Sequence, residues 1–352
     1  MCIVFFTSTR TYSFVLASNR DEFLSRPTTR ASWHSWSPPS IDRPSSRTSA
    51  ARVLSGLDLE AGGTWLGLST APERDDDANQ NTRTLRIATL TNFAETIVPR
   101  NPPRPSRGNL VKAFLDYEGR KSLQEYLDTI DEEKDEYAGY NLLVAELELP
   151  GPGRQPVPPV IGYSSNREPP TTKSRIVASS GTEVRGLSNA TLEADPGQDP
   201  WPKVTSGCRT LKETIQEIEA RDGTEQELVD KLWDALSTPS RSQITERGQL
   251  RNTILVRPLS MTPTAPLPAT PPPIPPPSLS DSPSDLPITV TEGKREGQEG
   301  TRWYGTRTQT IILVERDTGR VVFREREAYK LQDGRPVWVG SEGQENIFEF
   351  TP

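Results

Sequence analysis

Met1-Cys2-Ile3-Val4-Phe5-Phe6 and, further along, Tyr12-Ser13-Phe14-Val15-Leu16-Ala17-Ser18 are two β-prone runs joined by the polar Thr7-Ser8-Thr9-Arg10-Thr11. Together they predict a β-hairpin that opens the protein. Asn19-Arg20-Asp21-Glu22 then falls at the end of the second strand. A tight hairpin returns Arg20 and Asp21 to the side of the sheet on which Cys2 begins the first strand.

Beyond the hairpin, residues 26–52 are rich in Ser, Pro and Arg and predict a loop, and Gly62-Gly63 a turn into the strand that starts near Leu66. That turn is no phosphate loop, because the Lys-Ser/Thr of such a loop is missing. A strand is expected from Leu85 to Thr91. Apolar residues at helical spacing, Leu110, Val111, Phe114 and Leu115 and then Leu123, Tyr126, Leu127 and Ile130, predict a helix pair. Strands resume at Tyr140 to Leu147, Val160 to Ser164, Ile176 to Ser180 and Val184 to Ser188. A second helix pair follows at Leu211, Ile215, Ile218 and at Leu228, Leu232, Leu236, and the last strands are Thr310 to Val314, Val321 to Arg326 and Ile347 to Phe350. Two blocks of strands, each interleaved with a helix pair, indicate a layered α+β fold.

The chain has 352 residues, of which only 32% are hydrophobic, and its 34 prolines gather in stretches such as Pro271-Pro272-Pro273-Ile274-Pro275-Pro276-Pro277, too poor in apolar groups to join a core. A net charge of -7 supplies no broad basic surface, so nucleic-acid binding is not expected. No apolar run approaches the ~18 residues of a membrane helix, and the sequence turns polar at Thr7, too early for a secretory signal. A cytoplasmic start is expected. Two cysteines and one histidine, Cys2, Cys208 and His34, make neither a disulfide framework nor a metal cluster.

Cys2 carries the sharpest chemical possibility. If an aminopeptidase removes Met1, the freed α-amino group of Cys2, with an ordinary pKa of ~7.7–8.0, can take the proton of its own thiol, so that one residue supplies nucleophile and base and the thiol pKa is depressed. On position alone, a cysteine before an apolar strand is more often a small buried residue. Arg20 can hold a thiolate or an anionic substrate and Asp21 can orient the amine; both also fit a surface ion pair. Asn92, after Leu90-Thr91, and Asn189, in Leu187-Ser188-Asn189-Ala190, offer N–H donors for an oxyanion or simply shape turns. Arg307 enters a late strand as a second substrate anchor or a structural cation. Trp65, Trp201 and Trp303 read as core or rim packing.

These blocks resemble a known family. Met1-Cys2-Ile3-Val4-Phe5-Phe6, Ala17-Ser18-Asn19-Arg20-Asp21-Glu22-Phe23 with Arg26-Pro27, Ser55-Gly56-Leu57-Asp58, Gly62-Gly63-Thr64-Trp65-Leu66-Gly67, Leu90-Thr91-Asn92, Ser106-Arg107-Gly108, Gly139-Tyr140-Asn141-Leu142, Gly186-Leu187-Ser188-Asn189-Ala190 and Tyr304-Gly305-Thr306-Arg307-Thr308 are similar, in order, to the transport and Golgi organisation protein 2 family with its Asn-Arg-Asp-Glu motif. The resemblance implies a four-layer αββα sandwich like that of N-terminal nucleophile hydrolases, over a single domain 1–352 with insertions at 71–84, 150–159 and 258–300. It implies cytoplasmic roles in Golgi organisation and protein secretion, with haem handling in some members, association with the Golgi or mitochondria, and secretory-pathway proteins and a small-molecule ligand or substrate as partners. The pattern also resembles the choloylglycine hydrolase branch of that fold. By that likeness Cys2, Arg20, Asp21, Asn92, Asn189 and Arg307 form the site of an N-terminal cysteine amidohydrolase acting on C–N amide bonds. No cofactor is expected, and haem would find few axial ligands: Cys2, Cys208, His34 and the tyrosines.

Overall fold

A computed structural model describes residues 1–36, 53–71, 83–95, 103–116, 122–150, 156–177, 183–193, 200–244, 247–261, 301–340 and 344–352. The chain opens with β1 (Ile3–Thr7) and β2 (Tyr12–Phe23), followed by β3 (Ser32–His34), β4 (Val53–Ser55), β5 (Leu66–Ala71) and β6 (Thr84–Asn92). Helices α1 (Gly108–Leu115) and α2 (Leu123–Glu133) precede β7 (Tyr140–Glu148), β8 (Val160–Ser165), β9 (Arg175–Val177) and β10 (Arg185–Leu187). After α3 (Pro202–Ala220) and α4 (Glu225–Leu236) come β11 (Leu259–Met261), β12 (Arg302–Glu315), β13 (Val321–Glu327), the hairpin β14 (Tyr329–Gln332) and β15 (Arg335–Trp338), and finally β16 (Asn346–Phe350). The fold is α+β with antiparallel sheets. One seven-stranded sheet runs β10-β1-β2-β12-β13-β16, with β11 also on β12; the other is the meander β3 to β9.

The alternation of side chains along β1 explains why its apolar run is unbroken. Val4 and Phe6 join Phe14, Leu16, Ile312 and Phe323 in a cluster that reaches Leu68, Leu85, Ile87, Leu143 and Tyr163 of the second sheet. Ile3 and Phe5 point the other way, into a cluster with Leu211, Ile215, Leu228 and Leu232 of α3 and α4. On the far side of the second sheet, Ala88, Leu142 and Val144 pack against Leu110, Phe114, Leu123 and Leu127 of α1 and α2. The two facing sheets therefore each carry a helix pair on the outer surface. Capping boxes, Ser122 with Glu125 and Thr224 with Glu227, start α2 and α4, and Pro202 opens α3.

Several boundaries move. β2 does not end at Ser18 but continues through Asn19-Arg20-Asp21-Glu22 to Phe23, because β12 begins at Arg302 and pairs along its whole length. The loop expected over 26–52 contains β3, paired with β4; residues 37–52 lie outside the described residues. The insertion read at 71–84 starts and ends in strand, Ala71 facing Thr84, and the one read from 258 begins with β11, whose Leu259 is buried against Val256. Residues 72–82, 151–155 and 262–300, the rest of the three insertions, lie outside the described residues, as do 178–182 at the end of the strand expected from Ile176. Among the described residues no helix is long and apolar enough to cross a membrane.

Helix α3 meets β1 through a glycine. A Cβ on Gly207 would lie 2.1 Å from Cζ of Phe5. Although alanine favours a helix over glycine, Gly207→Ala is expected to lower stability by about 1–3 kcal/mol through overpacking. Chemical denaturation should show that loss shrinking on a Phe5→Leu background, whereas equal losses on both backgrounds would exclude the contact as its cause.

Candidate functional site

Pairing of Ile3 with Asn19 sets Cys2, one residue before β1, beside Arg20 on β2. Both faces of β2 are covered, so the consecutive residues Asn19, Arg20 and Asp21 alternate between two buried surroundings, with Glu22 half-buried after them. Asn19 faces the helices: its Nδ2 donates to the carbonyls of Leu236 at 2.8 Å and Ile254 at 2.9 Å, and its Oδ1 accepts from Gln309 at 3.1 Å. Arg20 faces the second sheet, 4.1 Å over the ring of Trp65 and 3.9 Å from a carboxylate oxygen of Glu22. Asp21 returns to the helix side. There its Oδ1 accepts from the hydroxyl of Thr306 at 2.6 Å and its Oδ2 lies 3.0 Å from the terminal amine of Met1.

The whole of Met1 is held. The residue is 6% exposed, its side chain packs with Leu250, Val256 and Leu259, and its amine also donates to the hydroxyl of Tyr304. Its carbonyl accepts from Nζ of Lys203 at 2.7 Å, a lysine 1% exposed in the first turn of α3. The carbonyl of Cys2 accepts from the hydroxyl of Ser188 at 2.7 Å. Burial lowers the pKa of the Met1 amine, with Asp21 opposing, and brings that of Lys203 down to about 8. Burial pushes the Cys2 thiol up, against the pull of the neighbouring ammonium. The sequence led to a depressed thiol beside its own amine. With Met1 present, the amine on Asp21 is that of Met1, and the Cys2 thiol instead donates, at 3.8 Å, toward the carbonyl of Asp21.

Cys2, Arg20, Asp21 and Asn92 line one cleft of about 500 Å³, together with Glu22, Arg26, Trp65, Arg104 and Arg107. Asn189 and Arg307 stand behind its walls. The side chain of Asn189 donates to the carbonyl of Asn92, and its own carbonyl accepts from the Ala94 amide at 2.8 Å, which fastens the end of β6 to the loop after β10. Arg307 occupies the register shift of β12 between Thr306 and Thr308 and donates to the carbonyl of Arg26. Burial lowers its pKa, and nearby Arg20 adds to the effect. Its cation therefore sits one layer back from the cleft. At the mouth, a Cβ on Gly63 would fall 2.6 Å from the carbonyl carbon of Gly108, so only glycine lets α1 start against this turn and bring Arg107 to the cleft.

Sequence reasoning assigned no role to Lys203, Tyr304, Thr306, Arg107 or Arg26, and it read Trp65 as packing. A signal for Lys203 existed: Lys203, Gly207, Leu211 and Ile215 form one buried row at a spacing of four on α3. Arg107 lies in Ser106-Arg107-Gly108, one of the blocks that carry the family resemblance.

Residues 1–330 match the sequence profile of the family described as Transport and Golgi organisation 2. The chain is similar to a Transport and Golgi organization 2 homolog of Mus musculus, 31% identical over 100% of this chain and 99% of the relative. It is also similar to a Transport and Golgi organization protein 2 homolog of Homo sapiens, 30% identical over 93% of this chain and 92% of the relative. An uncharacterized protein of Saccharomyces cerevisiae is 24% identical over 99% of each.

Two outcomes follow from the N-terminal site. The pKa of Lys203, about 8 when folded, lies below its ordinary 10.5. Folding thus disfavours its charged form, and the contribution of Lys203 to stability should rise as pH climbs through the window from about 8 to about 10.5. Lys203→Met should remove that rise in urea midpoints measured across the window; an equally steep rise in the variant would acquit Lys203. Because Met1 is enclosed and its amine is paired, folded protein that retains Met1 should resist methionine aminopeptidase in an intact-mass time course and be trimmed once urea opens it. Rapid trimming of the folded chain would contradict the enclosure.

Proposed function

The chain belongs to the Transport and Golgi organisation 2 family, and we propose that it serves, from the cytoplasm, in Golgi organisation and protein secretion through a small-molecule site at its N-terminus. The match over essentially the full length of the mouse relative carries this reading. Two facing sheets, each with a helix pair on its outer surface, support describing the chain as one αββα domain resembling N-terminal nucleophile hydrolases, with insertions between its strands. Haem handling belongs to the same reading. Among the described residues lining the cleft, Cys2 alone offers a thiolate, histidine or phenolate donor for haem iron.

A second reading is favoured by one arrangement: Cys2 on the cleft wall with Asp21 holding the N-terminal amine. If Met1 is lost before folding, the Cys2 amine inherits Asp21 as its partner. The amine takes the thiol proton, the thiolate adds to an amide carbonyl, and the C–N bond breaks as the amine leaving group collects that proton. Water then hydrolyses the thioester and regenerates Cys2. Lys203, which hydrogen-bonds the carbonyl of Met1, would lose that partner and keep the carbonyl of Cys2, 3.4 Å away.

Cells lacking their own family member test both readings. The unmodified chain should restore secretion and Golgi morphology; failure to do so would sink the first reading. Intact mass of protein from its native host should show Met1 absent if the second holds, and Cys2→Ala should then abolish amide hydrolysis while leaving the thermal transition in place. Retained Met1, or an acetylated terminus, would remove the hydrolase reading and leave the trafficking one.

A further inference from the structure

The guanidinium of Arg20 is the least satisfied charge in the cleft. Arg20 is only 6% exposed, and its Nη1 is buried without a hydrogen-bond partner. The closest carboxylate oxygen, on Glu22, is 3.9 Å from Nη2, beyond a hydrogen bond. Its neighbours do not compensate. Arg26 is spent on Asp58 at 2.8 Å and Glu60 at 3.1 Å, Arg104 on the carbonyls of Asp135 and Tyr137, and Arg307 on the carbonyl of Arg26. Arg107 donates to the carbonyl of Gly139 at 3.1 Å and has no carboxylate partner among the described residues. Burial depresses the pKa of Arg20 and of Arg107 alike. An unpaired buried charge is costly enough that such sites are ordinarily completed by a counter-ion.

The balance of charge indicates what is missing. Arg20, Arg26, Arg104 and Arg107 face the carboxylates of Glu22, Asp58 and Glu60, while Asp21 is neutralised by the Met1 amine. One positive charge is left over. Ala61, Leu90, Pro103, Pro105 and Ala138 add apolar wall beside the polar Thr64, Asn92 and Ser106, and a cleft of about 500 Å³ accommodates far more than a bare ion. The planar forks of arginine suit the two oxygens of a carboxylate.

We propose that the cleft binds a small amphipathic monocarboxylic acid, its carboxylate received by Arg20 and Arg107 beside Cys2 and its apolar body laid against the Ala61, Leu90 and proline wall. The proposal rests on reading this cleft as the protein's small-molecule site, and it does not require Cys2 to be catalytic. Titration calorimetry of the full chain with octanoate, octanamide and inorganic phosphate tests it. Octanoate should bind, octanamide should bind at least about tenfold more weakly, and phosphate alone should not bind. Arg20→Met and Arg107→Met should each weaken octanoate about tenfold or more. Because Arg20→Met can fail to fold, Arg107→Met at the rim decides when circular dichroism shows that loss. Octanamide matching octanoate, Arg107→Met binding as well as the parent, phosphate binding alone, or no octanoate binding would each overturn the proposal. Octanoate binding that survives in a chain without hydrolysis or Met1 removal separates its success from failure of the hydrolase reading.

Discussion

Three consecutive polar residues buried in a strand covered on both faces, with a half-buried fourth, draw most of their partners from inside the protein. That constraint on Asn19-Arg20-Asp21-Glu22 organises much of this molecule. Asn19 draws in the end of α4 and the segment around Ile254; Arg20 reaches across to Trp65 before β5; Asp21 fixes the first residue of the chain and Thr306 of β12. A slip of one residue in the β1–β2 pairing would exchange the surroundings of Arg20 and Asp21, placing a carboxylate against the indole and a guanidinium against an ammonium. The register is therefore guarded by charge as much as by apolar packing.

Much of the architecture could be read from the sequence because its signals are local. Leu110, Val111, Phe114 and Leu115, or Leu228, Leu232 and Leu236, declare a helix face through spacing alone, and the apolar runs of β1, β6, β7 and β13 are long enough to stand out. What escaped were elements whose strand character is imposed by a distant partner. β3, β4 and β11 have three residues each, and the far half of β2 is polar; only pairing, of β3 with β4, of β4 with β5, and of β11 and β2 with β12, makes them strands. The hairpin β14–β15, with Asp333 at φ 52 in its turn, is nearly as short, with four residues in each strand.

The site divides in the same way. Cys2, Arg20, Asp21 and Asn92 were legible as polar groups at or near strand ends, and all four line the cleft, although the side chains of Arg20 and Asp21 turn to opposite faces of β2. Asn189 and Arg307 were noticed for the same reason but stand a layer behind, because a strand-end position does not reveal whether a side chain turns to the opening or to a neighbouring carbonyl. Lys203 and Tyr304 contact Met1 from far along the chain, 202 and 303 residues away, and no local pattern announces such contacts.

The pairing of Met261 with Arg302 has a consequence for how this chain can change over generations. The two ends of the proline-rich stretch are already clamped side by side, and the entropy of closing a loop grows only as the logarithm of its length, roughly 0.6 kcal/mol for each doubling. A change in the number of residues between those two positions alters that closure entropy only slightly, while β11 and β12 continue to hold Leu259 against Met1 and Tyr304 against Asp21. Selection can therefore treat that stretch and the N-terminal site as nearly separate inheritances.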